Sequence, residues 1–138
     1  VTHRRTEVRH KVLAALQGVA SASGNVHPTR ERAIQSDRFP ALVFDEVDEA
    51  RERISKDPEW QRTYRLRAVI LATSRDERDQ VELELEQALA GIGLTPRQGG
   101  EASTGFDTET SGERAIFSAT VDWNLIYSTQ IHAPDQGV

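Results

Sequence analysis

Five carboxylates crowd one short stretch of this chain: Asp45, Glu46, Asp48, Glu49 and Glu52. Paired carboxylates can do acid–base work or hold a hard cation. This spacing fits neither an EF-hand loop nor a two-metal site, so the stretch reads as a solvated or interface-facing acidic edge. An opposite cluster opens the chain, with Arg4, Arg5, Arg9 and Lys11 close together. Like charges in a row usually make a solvated face. Set against the acidic stretch, they also suggest a head-to-tail contact, one subunit's basic end meeting its neighbour's acidic edge. The histidines, His3, His10, His27 and His132, show no pairing at metal spacing and read as surface residues. There is no HExxH, P-loop, GxGxxG or GxSxG. Ser21 and Ser23 beside Gly24 could suggest a phosphate loop, but no strand leads into them, and a helix C-terminus is the better reading. No catalytic, cofactor or metal site is expected, and the chain does not read as an enzyme.

Composition narrows the class further. At 138 residues the chain is expected to form one domain, 1–138, able to bury a core without a metal or disulfide staple. Its net charge of −5 argues against direct nucleic-acid recognition, which needs a basic footprint. With no Cys, disulfide scaffolds, thiolate zinc sites and cysteine nucleophiles are excluded. No apolar run approaches the roughly 18 residues of a membrane-spanning helix. The opening VTHRRTEVRH lacks the apolar region of a signal peptide.

The elements that must position these charges are legible from periodicity. Ala115 to Ser128 alternates, with Phe117, Ala119, Val121, Trp123, Leu125 and Tyr127 on one face and Ser118, Thr120, Asp122 and Asn124 on the other. Trp60 to Thr73 reads the same way, Tyr64, Leu66, Ala68, Ile70 and Ala72 opposing Arg65 and Arg67. Ala41 to Val47 predicts a third strand, and Asp48 to Glu59 a charged connection. Asn25 to Arg30, interrupted by Pro28, reads as loop or edge strand. Thr6 to Val19 predicts a helix with Thr6 as N-cap and Val8, Val12, Leu16 and Val19 as its apolar stripe. Asp76 to Ala90 predicts a second, burying Val81, Leu85, Ala88, Leu89 and Ile92 and leaving Arg78, Glu82, Glu84 and Glu86 solvated. Leu94 to Arg114 is expected to be a mobile loop (94–114), and 132–138 a disordered tail. The predicted class is α+β, a small mixed or antiparallel sheet with two helices packed on one face.

Taken as a set, these segments resemble the phage tail terminators of the lambda minor tail protein U family. THRRTEVRHKVLAALQG is similar to that family's opening helix, and DRFPALVFDEVDEA to its phenylalanine–proline step into a strand and acidic residues. WQRTYRLRAVILATSRDERDQVELELEQALAG resembles its long strand and following helix, and IFSATVDWNLIYST its C-terminal strand. The match spans roughly Thr6 to Thr129, in strand and helix patterns rather than chemical motifs.

The resemblance implies a structural virion protein, made in the host cytoplasm and placed at the head-proximal end of a long phage tail. It implies a hexameric ring of identical subunits that caps the tail tube, stops its polymerisation and offers a surface to the head connector or neck protein. Expected partners are the chain itself, the tail tube protein and the connector, with no membrane, no cofactor and no nucleic acid. The candidate subunit interface comprises Arg4, Arg5, Arg9, Asp45, Glu46, Asp48 and Glu49, with Arg65, Arg67 and Asp122 from the polar sheet face. Phe106 and Asp107 are the candidate docking residues of the loop. The alternatives are another head–tail joining, neck or tail completion protein and, from a different class, a small ligand-binding enzyme domain with its site on the open sheet face.

Overall fold

A computed structural model of the chain describes residues 3–22, 26–27, 39–53, 58–91, 103–111, 114–131 and 133–137. The architecture is α+β, as expected: two helices on a six-stranded mixed sheet. The two alternating segments form its centre as β3 (Glu59–Ala72) and β5 (Arg114–Gln130). They run antiparallel, with Leu66 opposite Trp123, Ala68 opposite Val121 and Ile70 opposite Ala119. In this register both apolar sets land on the same face; a slip of one residue would turn one of them to solvent. β2 (Ala41–Glu52) pairs antiparallel with the far edge of β3, and β1 (Val26–His27) pairs parallel with β2. β4 (Ser103–Ser111) and β6 (Ala133–Gly137) both pair antiparallel with β5.

The helices cover the apolar face. α1 (Arg4–Leu16) buries Val8, Val12 and Leu16, and α2 (Arg75–Gly91) buries Val81 and Leu85. These residues form one core with Leu42, Phe44, Leu66, Ile70, Val121 and Trp123. α2 starts where Ser74 Oγ accepts the Glu77 amide at 3.2 Å while the Glu77 carboxylate accepts the Thr73 amide at 3.0 Å. That reciprocal closure satisfies amides that no helical carbonyl reaches. The opposite face of the sheet is buried at Ala41, Val43 and Leu71, half-buried at Val69, Ile116 and Ile126, and polar at most other positions.

Several boundaries differ from expectation. α1 begins two residues before Thr6, because His3 is the cap: its Nδ1 accepts the Arg5 amide at 3.0 Å. The helix ends at Leu16, and a turn and a short 3-10 segment (Ala20–Ala22) carry Val19 and Ala22 into the core. Asn25 to Arg30, left between loop and edge strand, contributes the edge strand β1. The charged connection expected from Asp48 is a strand as far as Glu52. The alternation it should have shown is broken by a bulge, since the register shifts between Glu46 and Asp48 and leaves Val47 unpaired. The expected loop 94–114 contains all of β4 and the first residue of β5. β4 is held by its backbone ladder to β5 rather than by apolar side chains, so its polar composition hid it. Residues 133–137 of the expected disordered tail form β6, beside the end of β5 and against α1. Ile92, residues 94–102 and 112–113, and His132 lie outside the described residues.

Candidate functional site

The bulge decides where the acidic stretch points. Before it, Glu46 lies opposite Leu66; after it, Asp48 lies opposite Arg65 and Glu49 opposite Tyr64. Side chains alternate across a strand, so Glu46 and Glu49 share the helix-side face and Asp48 points to the open face. Glu49 and Glu46 are thus separated by two paired positions, a rise of about 6.8 Å. Arg5 and Arg9, one helical step of four residues apart on α1, are separated by about 6 Å. The two spacings match. Arg5 donates to Glu49, and Arg9 Nη1 donates to Glu46 Oε1 at 3.1 Å.

Glu49 is the centre of a buried polar cluster. Its side chain is 8% exposed, and Arg62 beside it is 4% exposed. Arg62 Nη1 donates to Glu49 Oε2 at 3.0 Å, and the Tyr127 hydroxyl donates to Oε1. Arg62 Nε donates in turn to Thr129 Oγ1 at 2.8 Å. Burial alone would raise the Glu49 carboxyl. The hydrogen bonds from Arg5, Tyr127 and Arg62 outweigh it and hold the group below the ordinary carboxylate range. Burial first, then the Glu49 contact, pushes the Tyr127 hydroxyl up. Tyr64 is likewise raised, by burial and then by Glu46, although its hydroxyl makes no hydrogen bond among the described residues.

His3 belongs to the same corner. Burial, then the charges of Arg5 and Arg62, lower its pKa from 6.5. The neutral ring is also the form whose Nδ1 can accept the Arg5 amide. Both groups make the fold acid-sensitive, and the sign is the same for each. As pH falls through 6.5, the unfolded His3 takes up a proton that the folded one resists, so stability declines. Below the ordinary Glu value of 4.5, the unfolded Glu49 does likewise. The melting temperature should therefore fall in two stages on acidification. His3→Asn, a cap that does not titrate in this range, should remove the upper stage, and Glu49→Gln should reduce the lower one. An upper stage left unchanged in His3→Asn would place its origin elsewhere.

The remaining candidate interface residues, Asp45 apart, also pair within the chain. Arg4 pairs with Glu7 one turn along α1. On the open face, Arg65 Nη1 meets Asp48 Oδ2 at 3.1 Å, and Arg67 clamps Asp122 through two hydrogen bonds at 2.7 and 3.2 Å. Asp45, exposed, lies opposite Arg67 in the register. The basic N-terminus and the acidic edge, expected to meet across neighbouring subunits, complement each other within one subunit through Arg5 on Glu49 and Arg9 on Glu46. The open-face pairs are different. They stay roughly half exposed, and Arg65, Arg67 and Asp122 rim a hollow of about 360 Å³ with Val47, Ser103 and Asn124.

Phe106 and Asp107 lie on β4, not in a loop. Phe106 faces the helix side, 61% exposed, with the Arg78 guanidinium 4.3 Å above its ring. Asp107 points to the open face beside Ser118. Arg78, expected to be solvated, is buried, because Phe106 and β4 lie under the first turns of α2. Thr104 Oγ1 donates to Glu82 Oε1 at 2.7 Å and ties β4 to the same helix. Ser21 is bound to Glu84 through both its amide and its hydroxyl. Sequence reasoning missed Arg62 and Tyr127 as partners of Glu49, and His3 as the cap that holds the Arg5 amide. The available signal was Arg62 itself, a charge on the apolar phase of a strand between Trp60 and Tyr64.

Among the described residues no group of three or more His, Cys, Asp or Glu is arranged to hold a metal ion, and no helix is long and apolar enough to cross a membrane. No protein-family model matches the chain, and no curated protein is significantly similar to it.

Proposed function

We propose that this chain is a structural subunit of a phage or prophage tail terminator. Copies of it form a ring at the head-proximal end of the tail, stop polymerisation of the tube and offer a docking surface to the head connector. The reading rests on the resemblance of its helix and strand segments to the lambda minor tail protein U family. The observation that best supports it is the one-sided cover of the sheet. Both helices pack on one face, and most of the opposite face of β2, β3 and β5 is left open, polar and charged in exposed pairs. Exposed pairs contribute only about 0–1 kcal/mol each, so Arg65, Arg67, Asp48 and Asp122 can exchange partners with a neighbouring subunit at little cost to the fold. Contacts that weak leave the free chain largely monomeric until concentration or a tube end drives closure.

Sedimentation and negative-stain imaging at rising protein concentration test this. Closed rings of about six subunits are expected. Arg65→Glu with Arg67→Glu should suppress them and leave the melting temperature nearly unchanged. A chain that stays monomeric at every concentration and fails to arrest tube growth would refute the reading.

A further inference from the structure

Every residue of β4, Ser103 to Ser111, pairs with β5 on its inner side, without a register shift. Among the described residues no strand pairs with its outer side, and β4 ends the sheet. Such an edge presents a row of backbone donors and acceptors that can template another strand. β4 has no Pro, no Lys and no bulge, and its charges, Asp107 and Glu109, are both on its open side. It is also firmly held, by Thr104 on Glu82 and by Arg78 over Phe106. Next to it Arg75 lies 5.3 Å over the Phe117 ring. Arginine against a half-exposed aromatic is the composition of an interface anchor.

We propose that the outer edge of β4 is a strand-docking site whose partner is an extended segment of another protein, with basic residues at alternate positions. The two faces of β4 dictate that pattern. Asp107 and Glu109 point to the open side, while Thr104, Phe106 and Thr108 point to the helix side. An added strand makes main-chain bonds along the edge, and its alternate side chains set specificity. One phase meets two carboxylates and must be basic; the other meets Phe106 and must be apolar. A second copy of this chain does not fit. Antiparallel self-pairing of β4 about its centre sets Asp107 against Asp107 or Glu109 of the other copy, and like charges directly opposite are destabilising. Among the described residues the far edge of the sheet, β1, offers two residues against the nine of β4. The site goes beyond the ring reading and stands without it, since a single subunit presents the whole edge.

A blocked nine-residue peptide alternating Lys and Val, and its counterpart with Glu for Lys, test the proposal against the full chain. The Lys peptide should bind roughly tenfold more tightly, as expected from two or more favourable cross-strand charge pairs. It should also slow hydrogen exchange at alternate amides of β4. In the Asp107→Lys, Glu109→Lys variant the preference should invert, and Phe106→Ala should weaken both peptides. The proposal is overturned if neither peptide binds, if the preference survives charge reversal, or if protection appears away from β4. Any of those results together with normal rings would remove the strand site and leave the ring reading intact.

Discussion

Glu49→Ala is expected to destabilise the fold by about 3 kcal/mol, because it leaves a buried arginine without its counter-charge. The substitution removes the acceptor for Arg62, Arg5 and the Tyr127 hydroxyl together. Arg5, 37% exposed, can turn to water, which keeps the loss at the lower end of what breaking a buried pair costs. Arg62, 4% exposed, cannot, and among the described residues its one other side-chain partner is Thr129. Adding Arg62→Met to Glu49→Ala should therefore recover part of the loss, as the stranded charge goes with it. Urea titration of the two variants measures both effects. A loss below about 0.5 kcal/mol for the single variant would mean that Glu49 behaves as an ordinary surface partner.

Leu85→Ala should cost about 2–5 kcal/mol, the range for emptying a filled core position. Leu85 is fully buried and joins Val81 in fastening α2 to the Trp123 side of the sheet. Leu83, two residues away on the solvent side of the same helix, is the matched control, and its truncation should stay within about 0.5 kcal/mol. Equal losses at the two positions would show that α2 does not cover the sheet as described.

Legibility followed contrast between faces. β3 and β5 could be read from their residues because one side of each is apolar and the other wet, and their pairing preserves that division. The stripes of α1 and α2 were legible for the same reason. β4 was not: Ser103, Thr104, Gly105, Asp107, Thr108 and Glu109 carry no apolar alternation, and Phe106 alone does not make a pattern. β4 exists because β5 offers a free edge, a condition set by tertiary structure. Arg78 was misread because an arginine in the first turn of a helix ordinarily faces water, and only the placement of β4 covers it. The charges of α1 and β2 invite pairing by sign, and Arg5 and Arg9 find Glu49 and Glu46 within one subunit. Nothing in composition says that the spacing of Arg5 and Arg9 on a helix equals that of Glu49 and Glu46 across a bulge.

Val47 matters by being left out of the ladder, not by what its side chain touches. Its side chain is 39% exposed and fills no part of the core, yet it is the unpaired residue that resets the parity of β2. Were Val47 paired in register instead of bulged, Asp48 would take the place opposite Tyr64, and Glu49 would turn to the open face. A shorter carboxylate would then face Arg62 and Tyr127, and the open-face partner of Arg65 would be lost. The division of acidic residues between the inside of the subunit and its exterior is thus set by where β2 skips a pairing, as a reading frame is set by a single shift, and not by the chemistry of the residue skipped.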